Sequence, residues 1–209
     1  MGFTGSKIKI GSEHISQDAA RLDAVRSAVG STYEIMTDGN QGFSLSDSIR
    51  WAGMLEDYSV GWFEEPLPAD DIGSHVELAR HSSVPIAVGE SLYSASQFKD
   101  YLQQSAASIV QVDVARIGGI TPWLKVAHMA EAHNVTVCPH FLMELHLSLV
   151  CAVSNAKWLE YIPQLDTITT TKMQMKYGFA RPSQKPGLGI DWDWEAIEKK
   201  AQFSSQITA

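Results

Sequence analysis

The chain has 209 residues, 44% of them hydrophobic, which is enough for one domain with a sizeable core. A formal net charge of −8 without a basic cluster argues against nucleic acid or a membrane as partner, and no apolar run approaches a membrane span. The two cysteines, Cys138 and Cys151, lack metal-ligand spacing and read as buried thiols of a reducing, cytoplasmic compartment, with no signal peptide in view.

In chain order the pattern predicts strands alternating with helices. Lys7–Ile10 alternates Lys and Ile as a first strand, and a helix from about Ser16 carries Leu22, Val25 and Val29 on one face. A second strand at Glu34–Thr37 leads to a helix starting at Ser44, with Asp47 in capping position. A third strand at Gly61–Phe63 is followed by a helix over Ile72–His81. A fourth at Ile86–Val88 is followed by a helix from Ser94, with Gln97 completing a capping box. The fifth strand is Ser108–Val112, and its helix starts at Thr121-Pro122, read as cap and first helical position. The sixth strand is Val135–Cys138, a helix spans Met143–Ser154, and Trp158–Leu159 forms a seventh strand. Beyond Pro163 the signals are of loops, at Pro182, Pro186, Gly187 and Gly189, with a short helix from Trp194. The fold class is α/β, a TIM-like (β/α) barrel of seven strands where eight would close it, with barrel units over 1–162 and an extension over 163–209.

One polar residue stands at the end of each apolar strand run: Lys7 and Lys9, then Asp38, Glu64, Glu90, Asp113, His140 and Glu160. Asp38 to Glu64 is 26 positions, and Glu64 to Glu90 is again 26. Scattered surface charges would not fall at one phase of every unit, whereas the C-terminal ends of parallel barrel strands converge on one pocket. Any one of Asp38, Glu64 and Glu90 taken alone reads as a helix cap or a surface ion-pair partner. Three at equal phase favour a shared hard cation such as Mg²⁺. Glu65 points to the opposite strand face and reads as structural.

Lys7 and Lys9 share a face, with Ile8 and Ile10 on the other. They are solvated in an ordinary amphipathic strand. On an inward barrel face, each ammonium disfavours the other's charge and lowers a lysine pKa towards use as a base. Asp113 and His140 end adjacent strands, so the carboxylate can set the tautomer of the imidazole. The plain alternative is a satisfied histidine at the barrel rim. The other histidines fall on helices or loops and read as structural or solvated, His146 being the hardest to place. Glu160 follows Trp158-Leu159, an apolar setting in which a carboxyl can stay protonated and donate a hydrogen bond.

Taken in order, Lys7-Ile8-Lys9, Asp38-Gly39-Asn40, Trp62-Phe63-Glu64-Glu65-Pro66, Gly89-Glu90-Ser91, Asp113 with Arg116-Ile117-Gly118-Gly119, Pro139-His140 and Trp158-Leu159-Glu160 resemble the mandelate racemase group of the enolase superfamily. The segment from Pro139 to Leu147 is most similar to the talarate/galactarate (acid sugar) dehydratases. The resemblance implies Mg²⁺ held by Asp38, Glu64 and Glu90. It implies Lys9 as base with Lys7 lowering its pKa, and a His140–Asp113 dyad on the opposite substrate face. Glu160 then hydrogen-bonds the enediolate, and Asn40 contacts substrate. The implied activity is removal of the proton α to a carboxylate, followed by dehydration of a hexarate-type acid sugar. Racemisation or epimerisation of a 2-hydroxy acid uses the same residues, and a non-catalytic barrel binding metal and carboxylates is the alternative of another class. Small-molecule carboxylates are the expected partners, in a homo-oligomer. That family carries a capping domain and a first βα unit ahead of the Lys-x-Lys strand. Both are absent here, so the chain reads as the barrel portion of a longer protein.

Overall fold

The computed structural model of the chain describes residues 1–202. Six parallel strands lie side by side in sequence order: β1 (Gly5–Lys9), β2 (Glu34–Asp38), β3 (Phe63–Glu64), β4 (Ile86–Val88), β5 (Ile109–Val110) and β6 (Thr136–Val137). Helices α1 (Ile15–Val29), α2 (Leu45–Asp57), α3 (Ile72–His81), α4 (Ala95–Gln103) and α5 (Ile120–Ala132) connect them, and α6 (Met143–Val150) follows β6. This is the βα repeat expected of a barrel wall. No described helix is long and apolar enough to cross a membrane.

The register explains why residues far apart in sequence come level. Lys9 pairs with Asp38, and Asp38 with Glu64, so the three polar residues end their strands on adjacent rungs. Below them the strands are buried on both faces. Ile35, Phe63, Ile86, Val88 and Val110 pack outward against Leu22, Leu55, Leu78, Phe98 and Val126 of the helices. Met36, Trp62, Ala87, Ile109 and Cys138 form a separate inner cluster, with Trp158 against it. The alternation Ile35/Met36 and Phe63/Trp62 is the period-two pattern that sorts side chains between the two faces. The inner cluster is therefore the floor on which the polar mouth stands.

The sheet is not hydrogen-bonded into a ring. Among the described residues β1 has a strand partner on one edge only, β2. The two ends nevertheless meet through side chains. Lys7 Nζ lies 2.8 Å from Glu160 Oε1, and the rings of Phe3 and Tyr161 stand 5.2 Å apart.

Several elements differ from the sequence expectation. The seventh strand at Trp158–Leu159 does not form; a single parallel bridge joins Val137 to Ala156. Val137 N–H donates to Asn155 O and Lys157 N–H to Val137 O, which completes one rung. The next rung needs a backbone donor at Pro139, which has none, so the ladder stops there. Helix α5 is capped by Gly119 at φ 115°, which places Thr121 and Pro122 inside the first turn rather than at its start. Proline is harmless in that turn because the N–H it lacks would have had no helical acceptor. Helix α6 ends at Val150, short of Ser154, because Asn155 must return to donate to Ala127 O and Val135 O. Cys138 is buried as expected, whereas Cys151, at the end of α6, is exposed. On α1, Leu22 is buried and Val29 is exposed, so the expected stripe covers only its first part.

The expected helix from Trp194 forms as α7 (Trp194–Lys200), but the stretch before it, read as loops, holds a short 3₁₀ turn at Leu165–Thr167 and an antiparallel hairpin, β7 (Gln174–Lys176) with β8 (Phe179–Arg181). Tyr177 and Gly178 both take positive φ, the signature of a two-residue hairpin turn whose twist matches its strands.

Candidate active site

Asp38 and Glu64 end β2 and β3, Glu90 lies just past β4, and each offers an oxygen within 4.8 Å of the others. Asp38 and Glu64 are buried and Glu90 is half-buried. Glu64 Oε1 accepts from Lys7 Nζ at 2.7 Å. Its Oε2 accepts from Gln111 Nε2 at 2.7 Å and from Trp62 Nε1 at 3.1 Å. Burial pushes the Glu64 carboxyl up to about 7, against the pull of Lys7 and with a further push from the charge on Asp38. Three crowded carboxylates facing two ammonium groups are short of positive charge. Hard oxygen donors on rigid strand ends, so crowded, fit a divalent cation such as Mg²⁺.

On one side of this triad stand the lysines. Lys9 Nζ donates to Asp38 Oδ2 and, at 2.6 Å, to Asn40 Oδ1. Lys7 Nζ lies 3.9 Å from the same Asp38 oxygen, so both ammonium groups reach one carboxylate. The expected mutual lowering is not what governs Lys7. Burial pulls its pKa down, but Glu64 and Glu160 outweigh that and hold it above the ordinary lysine value. Asn40, left-handed at φ 42°, donates its N–H to Asp38 Oδ1 at 2.8 Å, which fixes its side chain beside Lys9.

On the other side stands the dyad. His140 Nδ1 lies 2.9 Å from Asp113 Oδ2, and its Nε2 faces Glu90 Oε2 at 3.4 Å. With Asp113 accepting from Nδ1–H, Nε2 is the nitrogen turned to the mouth. Burial would raise the Asp113 carboxyl, but hydrogen bonds from His140 and from the N–H groups of Arg116 and Ala115 hold it below the usual range. Arg116 ties the halves together, donating to Glu90 O at 2.5 Å with Nε 3.8 Å from Asp113.

Glu160 corrects one expectation. Its surroundings are polar, not apolar: Oε1 faces Lys7 and Oε2 accepts from Phe141 N–H at 2.7 Å. Glu65 is buried at φ 38° beside Gln41, whose amide donates to Ser91 Oγ at 2.8 Å. It thus packs between two strand-end loops, where burial pushes its carboxyl up and the charges on Glu90 and Asp38 push further.

The nine residues singled out in the sequence thus form one connected set, from Asn40 and Lys9 through the triad to His140, Asp113 and Glu160. Sequence reasoning missed Gln111 and Trp62, which share Glu64 Oε2. Their signal was their phase: Gln111 lies two before Asp113 and Trp62 two before Glu64, so both face inward one layer below. It also missed Asp18. That buried carboxylate accepts from Gly11 N–H, Ser12 N–H, the Ser12 hydroxyl and Trp51 Nε1, and so pins the loop after Lys9.

The chain resembles known proteins over its whole described length. The family described as Enolase C-terminal domain-like matches residues 1–196. The L-talarate/galactarate dehydratase of Salmonella typhimurium is 37% identical over 99% of this chain and 51% of its own length. A crystal structure of L-talarate dehydratase from a Polaromonas species, complexed with Mg and L-glucarate, superposes with TM-score 0.87 at 34% identity, covering 94% of this chain and 55% of that one. A racemase from Streptomyces coelicolor with bound magnesium superposes with TM-score 0.91 at 28% identity, over 95% and 55%. The chain spans about half the length of these relatives.

Proposed function

Because the chain belongs to the Enolase C-terminal domain-like family, we propose that it carries the metal- and base-bearing part of a Mg²⁺-dependent enzyme that dehydrates hexarate-type acid sugars. The observation that carries this is the order around the mouth: Lys9 against Asp38, Glu64 in the middle, and Glu90 against His140. Asp38, Glu64 and Glu90 would hold the cation, which would supply Lewis acidity towards a carboxylate substrate. Lys9 or His140 Nε2 removes the α-proton, each reaching the triad from a different end. Asp113 holds His140 with Nε2 free to take or return a proton. Lys7, braced by Glu160, places its ammonium where charge grows on the substrate carboxylate; one such preorganised donor is worth about 3–4 kcal/mol of barrier. Loss of the β-hydroxyl as water then leaves a 2-keto-3-deoxy acid.

Bases at both ends of one carboxylate row also suit proton removal on one face and return on the other, so racemisation is the second reading. Incubation of the protein with galactarate, talarate and glucarate in D₂O with Mg²⁺ separates them. Dehydration gives a keto acid, and racemisation gives the deuterated, inverted acid. Calorimetry with Mg²⁺ alone tests the site, and Glu64→Gln is expected to weaken binding at least about tenfold. Equal affinities in the two proteins, with neither a keto acid nor an α-deuterated acid formed, would end the proposal.

A further inference from the structure

The imidazole of His146 makes no hydrogen bond to any of the nine site side chains; both its nitrogens meet backbone. It is fully buried on α6, against the ring of Trp123. Its Nε2 accepts from Val114 N–H at 2.9 Å, and its Nδ1 lies 2.9 Å from Phe141 O, which can only accept. The ring is therefore the neutral Nδ1–H tautomer, with both nitrogens used. Val114 follows Asp113, and Phe141 follows His140. One imidazole thus grips the backbone immediately after each member of the dyad.

The grip matters because the histidine loop is strained. Phe141 and Leu142 stand at φ 59° and 27°, conformations that side chains other than glycine rarely adopt. No strand pairing holds this stretch, since β6 ends at Val137 and Pro139 breaks the ladder. Side chains hold Phe141 at both backbone groups, its N–H donating to Glu160 and its O accepting from His146, while Leu142 O accepts from the N–H groups of Leu145 and His146 at the start of α6. The Val114 contact carries the His146 hold across to the loop after β5, where Asp113 sits.

We propose that His146 is a positioning residue: it clamps the β5 and β6 strand-end loops together and so sets the 2.9 Å His140–Asp113 hydrogen bond. The clamp rests on the proposed function only for its catalytic consequence; the geometry it predicts can be read without substrate.

The test is nitrogen-15 NMR of the imidazoles, with activity as a second readout. In the wild type, His146 is expected as a single Nδ1–H tautomer, and His140 as one Nδ1–H species with a downfield proton that vanishes in Asp113→Asn. His146→Leu removes both contacts. His146→Asn can keep only a donor to Phe141, and His146→Gln only an acceptor for Val114. Each is expected to broaden or split the His140 resonances while circular dichroism stays native. In D₂O, α-proton exchange by the His140 side should fall about 10²-fold, the cost of an ångström-scale misplacement, with exchange by the Lys9 side within twofold. An Nε2–H tautomer of His146 in the wild type overturns the clamp, even if no variant folds. So do His140 resonances unchanged in any folded His146→Leu protein. Intact NMR signatures with no exchange in the wild type would instead sink the proposed function and leave the clamp standing.

Discussion

The two sides of the mouth are built on different principles. Lys7 and Lys9 sit on β1, whose five residues pair in full with β2, so a regular ladder aims both side chains and only the loop beyond needs securing, which Asp18 does. His140 lies beyond a two-residue strand, inside the irregular loop itself, and its direction depends on Asp113, Glu160 and His146. A side chain on a paired strand inherits its direction from the backbone. One in a strained loop must have its backbone held by other side chains, so damage to the histidine side can come from residues that never meet the substrate.

The sharpest way to break this comparison is to remove each proposed base. Lys9→Ala and His140→Asn should each lower one of α-proton exchange and dehydration by about 10²–10⁴-fold, the usual contribution of a general acid or base. Exchange in D₂O reads the two faces separately; full dehydration by both variants would show that neither side bears the chemistry. Next in size is Lys7→Met, which strands Glu64 and Glu160 without their shared cation. Without Mg²⁺ it should cost about 3–5 kcal/mol in urea unfolding, and saturating Mg²⁺ should return part of the loss. An unaffected unfolding midpoint would mean that the lysine side is held by its ladder alone.

Acid should separate the two loop fastenings. Burial holds the His146 imidazole below its ordinary value, among Asp113, His140 and Glu160. Its folded pKa is depressed, so the unfolded chain binds the proton first, and the stability it contributes falls as pH drops below about 6.5. For Asp18, burial pushes upward but the hydrogen bonds from Trp51, Gly11 and Ser12 outweigh it and hold the carboxyl low. Its contribution is complete above about 3.9 and fades below that. At neutral pH Asp18→Asn should cost about 1–3 kcal/mol, the cost of orphaned buried donors. The gap between wild type and His146→Gln should narrow between pH 7 and 5, while the Asp18→Asn gap stays constant until pH 4. The smallest effect concerns Pro139→Ala, which restores a ladder donor facing Lys157. It should change stability by no more than about 1 kcal/mol and add amide protection at residue 139. Failure to protect that amide would mean that something other than proline ends the rung.

How legible these features were in the sequence follows from their periodicity. The triad could be read because strand and helix repeat with one phase, so Asp38, Glu64 and Glu90 announced a common level; the bounds of α3 and β4 were readable for the same reason. Features set by single backbone events were not. The failed strand at Trp158 depends on a missing donor at Pro139, a residue away in space rather than in sequence. The α5 cap falls on Gly119 because positive φ suits glycine, while Thr121-Pro122 offered a more familiar signal. The hairpin at 174–181 hides in a short polar stretch with only Tyr177-Gly178 to mark its turn. His146 was the hardest of the remaining histidines to place, because what distinguishes it is the pair of backbone groups it meets.

The polar join between β1 and the segment after β6 is the ion pair of Lys7 with Glu160, beside the Phe3–Tyr161 ring contact, rather than a strand ladder. A ladder tolerates almost any side chain; a salt link tolerates only this pair or its mirror image. Lys7 also stands beside Glu64 of the carboxylate triad, so a change at the seam is a change at the triad. In a lineage exploring new substrates, such a position should stay frozen while the loops around it drift. A protein engineer recutting this mouth would do best to leave that one bond alone.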